Sequence, residues 1–148
     1  MEVRRLDIKD TEQIKKLFFS VFTAEPWNDD WSDEEQLNAY INDLTGQGSS
    51  LTFGLYDNGE LIGASLGSIR HWYRGTEYCI DEFFIKTDLQ GQGAGTFFLG
   101  QLEAAMKEMG LVQIFLQTER NVPAYNFYKK NGFFELEDHV SFFKRVEP

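Results

Sequence analysis

The sequence has little of several residue types that mark particular classes of protein. Its one cysteine, Cys79, excludes an internal disulfide and a zinc site built from clustered cysteines. The two histidines, His71 and His139, lie far apart without metal-ligand spacing, so no metal is expected. No apolar run approaches the ~20 residues of a membrane span, and the N-terminal residues lack the apolar segment of a signal peptide. These absences favour a protein of the reducing cytoplasm with no membrane contact.

Basic residues are also scarce. Lys and Arg number 14 against 24 Asp and Glu, which gives a formal net charge of -10. Nucleic-acid-binding proteins usually carry a basic footprint, so no nucleic acid partner is expected. An acidic cleft would concentrate a small cationic partner, although the same charge also serves solubility.

The apolar content is sufficient for one folded domain over residues 1–148. The first half predicts an edge strand within residues 2–8, a helix capped by Asp10 or Thr11, and a second helix opened by a capping box at Ser32 and Glu35. Alternating apolar residues then predict an antiparallel meander over residues 51–56, 61–73 and 77–86, with a hairpin turn at Asn58-Gly59.

The second half changes from strand to helix at a glycine-rich turn. A helix from Thr96 to Met109 is followed by a predicted strand over residues 111–118, and a strand, helix and strand in succession imply one parallel pair. Pro123 opens a last helix, and residues 133–146 predict two short strands. The expected fold class is α/β (α+β), a mixed central sheet with about four helices on both faces.

The glycine-rich turn favours an anion site, because the first turn of a helix presents unpaired N–H groups. The alternating glycines match neither GxGxxG nor a P-loop, and the turn carries no Lys or Arg, so backbone amides would have to hold a phosphate. A plain strand-to-helix turn remains the alternative. The residues concerned are Gln90, Gly91, Gln92, Gly93, Ala94, Gly95 and Thr96.

A second unusual segment is the loop 24–31, which holds two tryptophans, a proline and several acids. Trp27 and Trp31, with Asp29 and Asp30, could form the wall of a site for a cation. A packed corner that contributes only to the core is the alternative.

Two separated motifs together resemble the GNAT acetyltransferase superfamily. They are the stretch IDEFFIKTDLQGQGAG, residues 80–95, and the later Ala124-x-x-Phe127-Tyr128 with its Gly132-Phe133. The front half, with Trp27 and Trp31, is similar to aminoglycoside 6'-N-acetyltransferase-like members. The chain departs from the family pattern at Gln90, where arginine is usual, and at Thr87-Asp88, where proline is common.

The resemblance implies transfer of acetyl from acetyl-CoA to a primary amine of a small molecule. Cofactor contacts would come from the backbone of Phe84 and Ile85, from the turn 90–96 and from Asn121. Tyr128 stands at the position of the general acid. The reaction also needs a base, because an ammonium must lose a proton before it attacks.

Glu82 is the first candidate for that base and Asp81 the second. Alternation along a strand puts the two on opposite faces unless a bulge intervenes, so only one should face the cleft. Glu77, Asp29 and Asp30 are further candidates to bind the cation.

Other functions stay open at this point. A peptide or protein N-acetyltransferase would need an open groove, and a non-catalytic acyl-CoA sensor would keep its function without Glu82 or Tyr128. A dinucleotide-binding module is disfavoured by the glycine spacing. The sequence also leaves open whether a homodimer completes the cleft.

Overall fold

The computed structural model describes residues 1–147. They fall into two compact units, one of residues 1–117 and one that starts at Thr118. The predicted single domain over the whole chain stays a prediction. The described elements are β1 (Glu2–Arg5), α1 (Thr11–Phe22), α2 (Glu34–Thr45), β2 (Ser50–Asp57), β3 (Glu60–Trp72), β4 (Gly75–Ile85), α3 (Ala94–Met109), β5 (Gln113–Leu116) and α4 (Pro123–Lys130), with short 3-10 turns at Ile8–Asp10 and Thr87–Leu89.

The first unit holds one five-stranded sheet in the order β1-β2-β3-β4-β5. Neighbouring strands are antiparallel except β4 and β5, which are parallel, as the order of strand, helix and strand predicts. Asn58 and Gly59 both have positive φ, 50° and 81°, which is the conformation of the predicted hairpin turn between β2 and β3. The mixed α/β fold class is therefore confirmed.

Helices cover both faces of this sheet. Phe84 packs its ring against Phe18 of α1 at 5.7 Å, whereas its neighbour Phe83 packs against Phe98 of α3 at 5.2 Å. Because successive strand residues point to opposite faces, α1 and α3 lie on opposite sides of β4. The apolar stripe of α1 is buried here, with Ile14 and Phe18 almost completely enclosed.

The starts of α1 and α2 differ in detail from the sequence prediction. Asp33, rather than Ser32, caps α2, and its carboxylate accepts a hydrogen bond from the N–H of Gln36 at 3.2 Å. Asp10 occupies the N-cap position of α1, as predicted, but its side chain makes no capping hydrogen bond to α1. Its carboxylate instead accepts from the N–H of Asp7 at 2.9 Å and closes a capping box around the 3-10 turn Ile8–Asp10.

The prediction of two short strands after Phe133 is wrong: residues 133–147 contain no strand. A strand needs a ladder partner, and an isolated hairpin is only marginally stable. Within its own unit, the described part of this segment has α4 beside it in sequence and no strand to pair with. Apolar alternation alone was therefore not enough to predict β structure here.

Candidate active site

The candidate site lies along β4, beyond the point where its pairing with β5 ends. Their parallel register runs from Glu77 opposite Gln113 to Ile80 opposite Leu116, where β5 ends. Beyond Ile80, β4 continues to Ile85 and pairs with β3 alone among the described residues. The far half of β4 therefore has a strand edge free for another extended group, as in strand addition.

Phe84 and Ile85, the residues predicted to offer backbone groups to a cofactor, lie on this open edge. The carbonyl oxygen of Ile85 already accepts a hydrogen bond from Nε2 of Gln90 at 2.9 Å. This bond ties the end of β4 to the start of the glycine-rich turn. Gln90 thus has a structural role in which its side chain fixes the geometry of the loop.

The turn itself presents a row of backbone amides. Among residues 1–147, no backbone or side-chain acceptor takes the N–H groups of residues 91–96. Gly91 and Gly93 have positive φ of 77° and 87°, and Gly93 is the N-cap of α3. A Cβ on either glycine would meet nothing within 4 Å, so these glycines serve backbone conformation rather than tight packing. Unpaired amides at a helix N-terminus form a site for an anion.

Glu82 is the best-placed carboxylate on the open half of β4. Its Oε2 accepts a hydrogen bond from the hydroxyl of Tyr40, on α2, at 2.5 Å. Burial raises the pKa of Glu82 above its usual value, Asp81 and Asp29 raise it further, and the Tyr40 hydrogen bond works in the opposite direction. A carboxylate with a raised pKa is a better proton acceptor at neutral pH than an ordinary one.

A β-bulge separates Asp81 from its neighbours. Leu66 pairs with Glu82 and Gly67 pairs with Ile80, so Asp81 is the extra residue without a partner on β3. Strict alternation between Asp81 and Glu82 therefore does not apply. Partial burial raises the pKa of Asp81, while Arg70 acts to lower it.

The loop 24–31 packs against α1 and α2 through its two tryptophans. The ring of Trp27 lies 5.5 Å from that of Phe22, and Trp31 stacks on Tyr40 at 5.3 Å with an interplanar angle of 18°. The N–H of Asp29 donates to the carbonyl of Phe22 at 2.8 Å, which returns the loop to the end of α1. The corner is packed, and Tyr40 contacts both the Trp31 ring and the carboxylate of Glu82.

The two loop acids differ in their surroundings. Asp29 is exposed and contributes to the electrostatic field at Glu82. Asp30 is exposed too, but its carboxylate accepts a hydrogen bond from the N–H of Ser32 at 3.0 Å, and hydrogen bonds to Ser32 hold the pKa of Asp30 below its usual value. Asp29 is consequently the loop acid with the more direct connection to Glu82.

Glu77 lies on the paired half of β4 and is buried. Its carboxylate accepts hydrogen bonds from Gln113 at 2.5 Å and Arg70 at 3.1 Å, and from the thiol of Cys79 at 3.4 Å. Burial alone would raise the pKa of Glu77, but the hydrogen bonds outweigh it and hold the pKa below its usual value. The predicted role of Glu77 in binding a cation stays a prediction.

The second unit carries the remaining predicted residues. Asn121 is exposed and precedes α4, whose first turn contains Pro123 as predicted. Tyr128 is buried on α4, with the rings of Phe127 and Phe133 each 5.3 Å from its own. The roles of Asn121 in cofactor binding and of Tyr128 in catalysis stay predictions.

A surface cavity of about 580 Å³ lies beside α1 and α2 but is distinct from this site. It includes Trp31 and neither Glu82 nor any residue of the glycine-rich turn. Lys15 and Lys16 line it together with Glu12 and Glu34, and Lys15 lies 3.5 Å from each glutamate, so the cavity offers a cation no excess of negative charge. The open half of β4 is thus the better candidate.

The comparison with known families decides the identity of the fold. The sequence model described as "Acetyltransferase (GNAT) family" matches residues 11–133. The chain belongs to the GNAT acetyltransferase family. The predicted enzyme class, an acetyl-CoA-dependent N-acetyltransferase, is confirmed with it. No curated protein sequence matches the chain.

Solved structures with the same fold include acetyltransferases with different acceptors. An aminoglycoside acetyltransferase, meta-AAC0020, from an uncultured soil metagenomic sample in complex with sisomicin, is 21% identical with a TM-score of 0.75 over 99% of this chain and 96% of that chain. AAC(6')-Iy in complex with the bisubstrate analogue CoA-S-monomethyl-acetylneamine is 17% identical with a TM-score of 0.73 over 98% of both chains. A ribosomal-protein-alanine N-acetyltransferase from Brucella melitensis biovar Abortus 2308 is 15% identical with a TM-score of 0.75 over 99% of this chain and 100% of that chain. At these identities the likeness shows the fold.

The residues present fit the acetyl-CoA that the GNAT family uses. A diphosphate needs several donors that are not otherwise engaged, and the N–H groups of residues 91–96 meet that requirement. Two further observations concern absences within residues 1–147. No group of three or more His, Cys, Asp or Glu residues there is arranged to hold a metal ion. None of the helices there has the length and apolar character to cross a membrane.

Sequence reasoning missed one residue of the site, Tyr40. Its spacing with Leu37, Ile41 and Leu44 predicts the apolar face of α2, which is where the ring lies. The signal that could have found it is the hydroxyl, because a tyrosine on a buried helix face usually has a hydrogen-bond partner. The sequence could not indicate that this partner is Glu82.

Proposed function

We propose that this GNAT protein moves an acetyl group from acetyl-CoA to the primary amine of a small cationic acceptor. One observation carries the proposal: β4 holds Glu82, a carboxylate with a raised pKa, and leads directly into a turn of unengaged amides. The cofactor site and the proton acceptor are therefore on one continuous segment of the first unit. This segment, residues 81–96, contains the carboxylates Asp81 and Glu82 and the glycine-rich turn.

The cofactor supplies an acetyl thioester when it is bound. The backbone of residues 91–96 would hold its diphosphate, and the open edge at Phe84 and Ile85 would bind its extended arm. Asn121 is proposed as a further contact on the basis of the family motif. A backbone N–H near Ile85 is the proposed donor for negative charge that develops on the acyl oxygen.

The acceptor would bind where negative charge and aromatic rings coincide. Asp29 and Asp81 both act electrostatically on Glu82, so the region favours an ammonium group. Trp31 offers an indole face to a cation. Trp27, Asp30 and Glu77 remain proposed members of the same acceptor site.

The reaction requires the acceptor's ammonium to lose a proton before it attacks. Glu82 is proposed to take that proton, directly or through one water, with Asp81 as the alternative base. Tyr128 is proposed as the acid that donates a proton to the leaving thiolate, on the basis of its place in the family motif. Attack is expected to be direct, because the sequence offers no serine or cysteine paired with a histidine.

The identity of the acceptor rests on local chemistry. The acidic, tryptophan-bearing wall favours a small polyamine or aminoglycoside over a peptide, and two of the structural neighbours are described with aminoglycoside ligands or analogues. A peptide acceptor, the substrate class of the third neighbour, is the second candidate. We also propose a cytoplasmic location, because the one cysteine is a free thiol. Homodimer formation stays open.

The test measures thiol release from acetyl-CoA against a panel of aminoglycosides, polyamines, amino acids and peptides. We expect a small polyamine or aminoglycoside to stimulate release by the native protein. Glu82→Gln should lower kcat/KM about 100-fold or more and leave CoA affinity unchanged. Glu103→Gln, which changes an exposed carboxylate on α3, is the matched control.

Two results would contradict the proposal. If only peptides stimulate release, the chain is a peptide N-acetyltransferase. If no amine stimulates release while acetyl-CoA still raises the melting temperature, the chain binds acyl-CoA without turning it over.

A further inference from the structure

The hydroxyl of Tyr40 bridges two elements that are distant in sequence. Tyr40 lies on α2 and Glu82 on β4, and the hydrogen bond between them measures 2.5 Å. The donor is the phenol, because the pKa of Tyr40 is raised far above its usual value by burial, by the hydrogen bond to Glu82 and by the charges of Glu82, Asp81 and Asp43. Tyr40 therefore stays protonated throughout the pH range of an enzyme assay.

The environment of Glu82 contains few interactions that favour the charged carboxylate. Burial and the charges of Asp81 and Asp29 all favour the protonated carboxyl. Among residues 1–147, no lysine or arginine forms an ion pair with Glu82. The Tyr40 hydrogen bond is the interaction that lowers the pKa of Glu82.

Tyr40 is itself held in place by aromatic packing. Its ring stacks on Trp31 at 5.3 Å and lies 5.8 Å from Phe18, which in turn contacts Trp31 edge-on at 5.4 Å. Three rings from α1, the loop and α2 thus fix the direction in which the hydroxyl points. The position of the carboxylate is consequently coupled to Trp31, a proposed wall of the acceptor site.

We propose that Tyr40 is a positioning residue for Glu82: its hydroxyl orients the carboxylate and favours its ionised form, which can accept the acceptor's proton. This role rests on the proposed function, because it gives Glu82 the task of base. Tyr40 does not exchange a proton itself. It acts through Oε2 of Glu82.

The experiment compares the full chain with Tyr40→Phe, which keeps the ring and removes the hydroxyl. Carboxyl ¹³C NMR titration of protein labelled at glutamate, with Glu82 assigned through Glu82→Gln, reads the pKa without any substrate. We expect the pKa of Glu82 to rise by about one pH unit in Tyr40→Phe, since a hydrogen bond to a charged group contributes that order of stabilisation. The acidic limb of kcat/KM should move to higher pH by the same amount.

Tyr125→Phe is the matched control, because Tyr125 also donates to a glutamate, Glu135, at 2.6 Å in the second unit. It should leave the pKa of Glu82 unchanged. A dispersed NMR spectrum of each variant establishes that it is folded.

An unchanged pKa of Glu82 in folded Tyr40→Phe would overturn the positioning role even in an active enzyme. If the pKa of Glu82 rises as expected but the acidic limb of kcat/KM does not shift, Glu82 is not the base. The proposed positioning role of Tyr40 is then excluded as well. If the pKa moves and the native protein acetylates no amine, the proposed function fails instead, and Tyr40 has no catalytic base to position.

Discussion

A Cβ atom added to Gly67 would lie 2.3 Å from the carbonyl oxygen of Cys79. β3 and β4 approach this closely where the register skips Asp81. Gly67 is therefore the residue on β3 that permits the bulge, and the bulge determines where Glu82 falls relative to Tyr40.

Replacement of Gly67 by alanine should be costly for both stability and activity. The obstructing atom is backbone, so the strands must shift, and overpacking of this kind typically costs about 1–3 kcal/mol. The shift would displace Glu82 and lower kcat/KM for the amine. Urea unfolding and steady-state kinetics check both effects. Gly48→Ala, where the added Cβ meets nothing within 4 Å, is the control and should be close to neutral.

Gly93→Ala tests the amide turn. Its φ of 87° disfavours any L side chain, and the cost is about 1 kcal/mol or more. The altered turn should weaken CoA binding, measured by titration calorimetry, several-fold.

Gly110→Ala is the control for Gly93→Ala, because both glycines have a positive φ. Gly110 has φ of 78°, and its added Cβ also meets nothing within 4 Å. It lies at the opposite end of α3 and should lose similar stability without a loss of CoA affinity. Equal CoA affinities for the two variants would show that residues 91–96 do not hold the diphosphate.

Much of the fold could be predicted because its signals are local. The Asn58-Gly59 turn, Pro123 at the start of α4 and Gly110 at the end of α3 each depend on the conformational preference of one or two residues. The failure at residues 133–147 has the opposite cause: a strand depends on a partner, which the alternation of apolar residues cannot reveal.

The candidate site was predictable in part. Glu82 and the turn lie within one short segment, so their proximity follows from the chain itself. The Tyr40–Glu82 bond joins residues that are 42 positions apart, and the bulge at Asp81 depends on a register between two strands. Neither is a property of any local pattern, which is why the sequence left open whether Asp81 and Glu82 alternate.

Asp29→Asn should change the pH dependence in the direction opposite to Tyr40→Phe. The charge of Asp29 raises the pKa of Glu82, so its removal lowers that pKa and moves the acidic limb of kcat/KM to lower pH. The KM for a cationic acceptor should rise, most at low ionic strength where screening is weak. Asp57→Asn, at the end of β2, removes a carboxylate that does not act on the pKa of Glu82 and should change neither quantity. If the acidic limb of kcat/KM does not shift in Asp29→Asn, electrostatic coupling between Asp29 and Glu82 is excluded.

Cys79 should be unreactive in the folded protein. Burial raises the pKa of its thiol to about 11, aided by the hydrogen bond to Glu77, so very little thiolate exists at neutral pH. A chromogenic disulfide reagent should label the native chain far more slowly than the chain in denaturant. Rapid labelling of native protein would show that β4 opens around this residue. The same property should let the reagent follow thiol release in the acetyl-transfer assay without interference from the enzyme.

Glu82→Gln should be more stable than the native protein at neutral pH, although it loses activity. The folded-state pKa of Glu82 lies above its unfolded value of 4.5, so the folded state binds the extra proton between those two values. The stability from this proton is fully present below pH 4.5 and is lost as pH rises through the folded pKa.

Because glutamine does not titrate, the difference in free energy of unfolding between Glu82→Gln and the native protein should grow with pH in this window. It should then level off, at about 1.4 kcal/mol for each pH unit between the two pKa values. Urea unfolding at stepped pH measures it, and other carboxyl groups cancel in the difference. A difference for Glu82→Gln that is flat, or that falls with pH, would mean that Glu82 is not held at a raised pKa and is a poorer base than its burial implies.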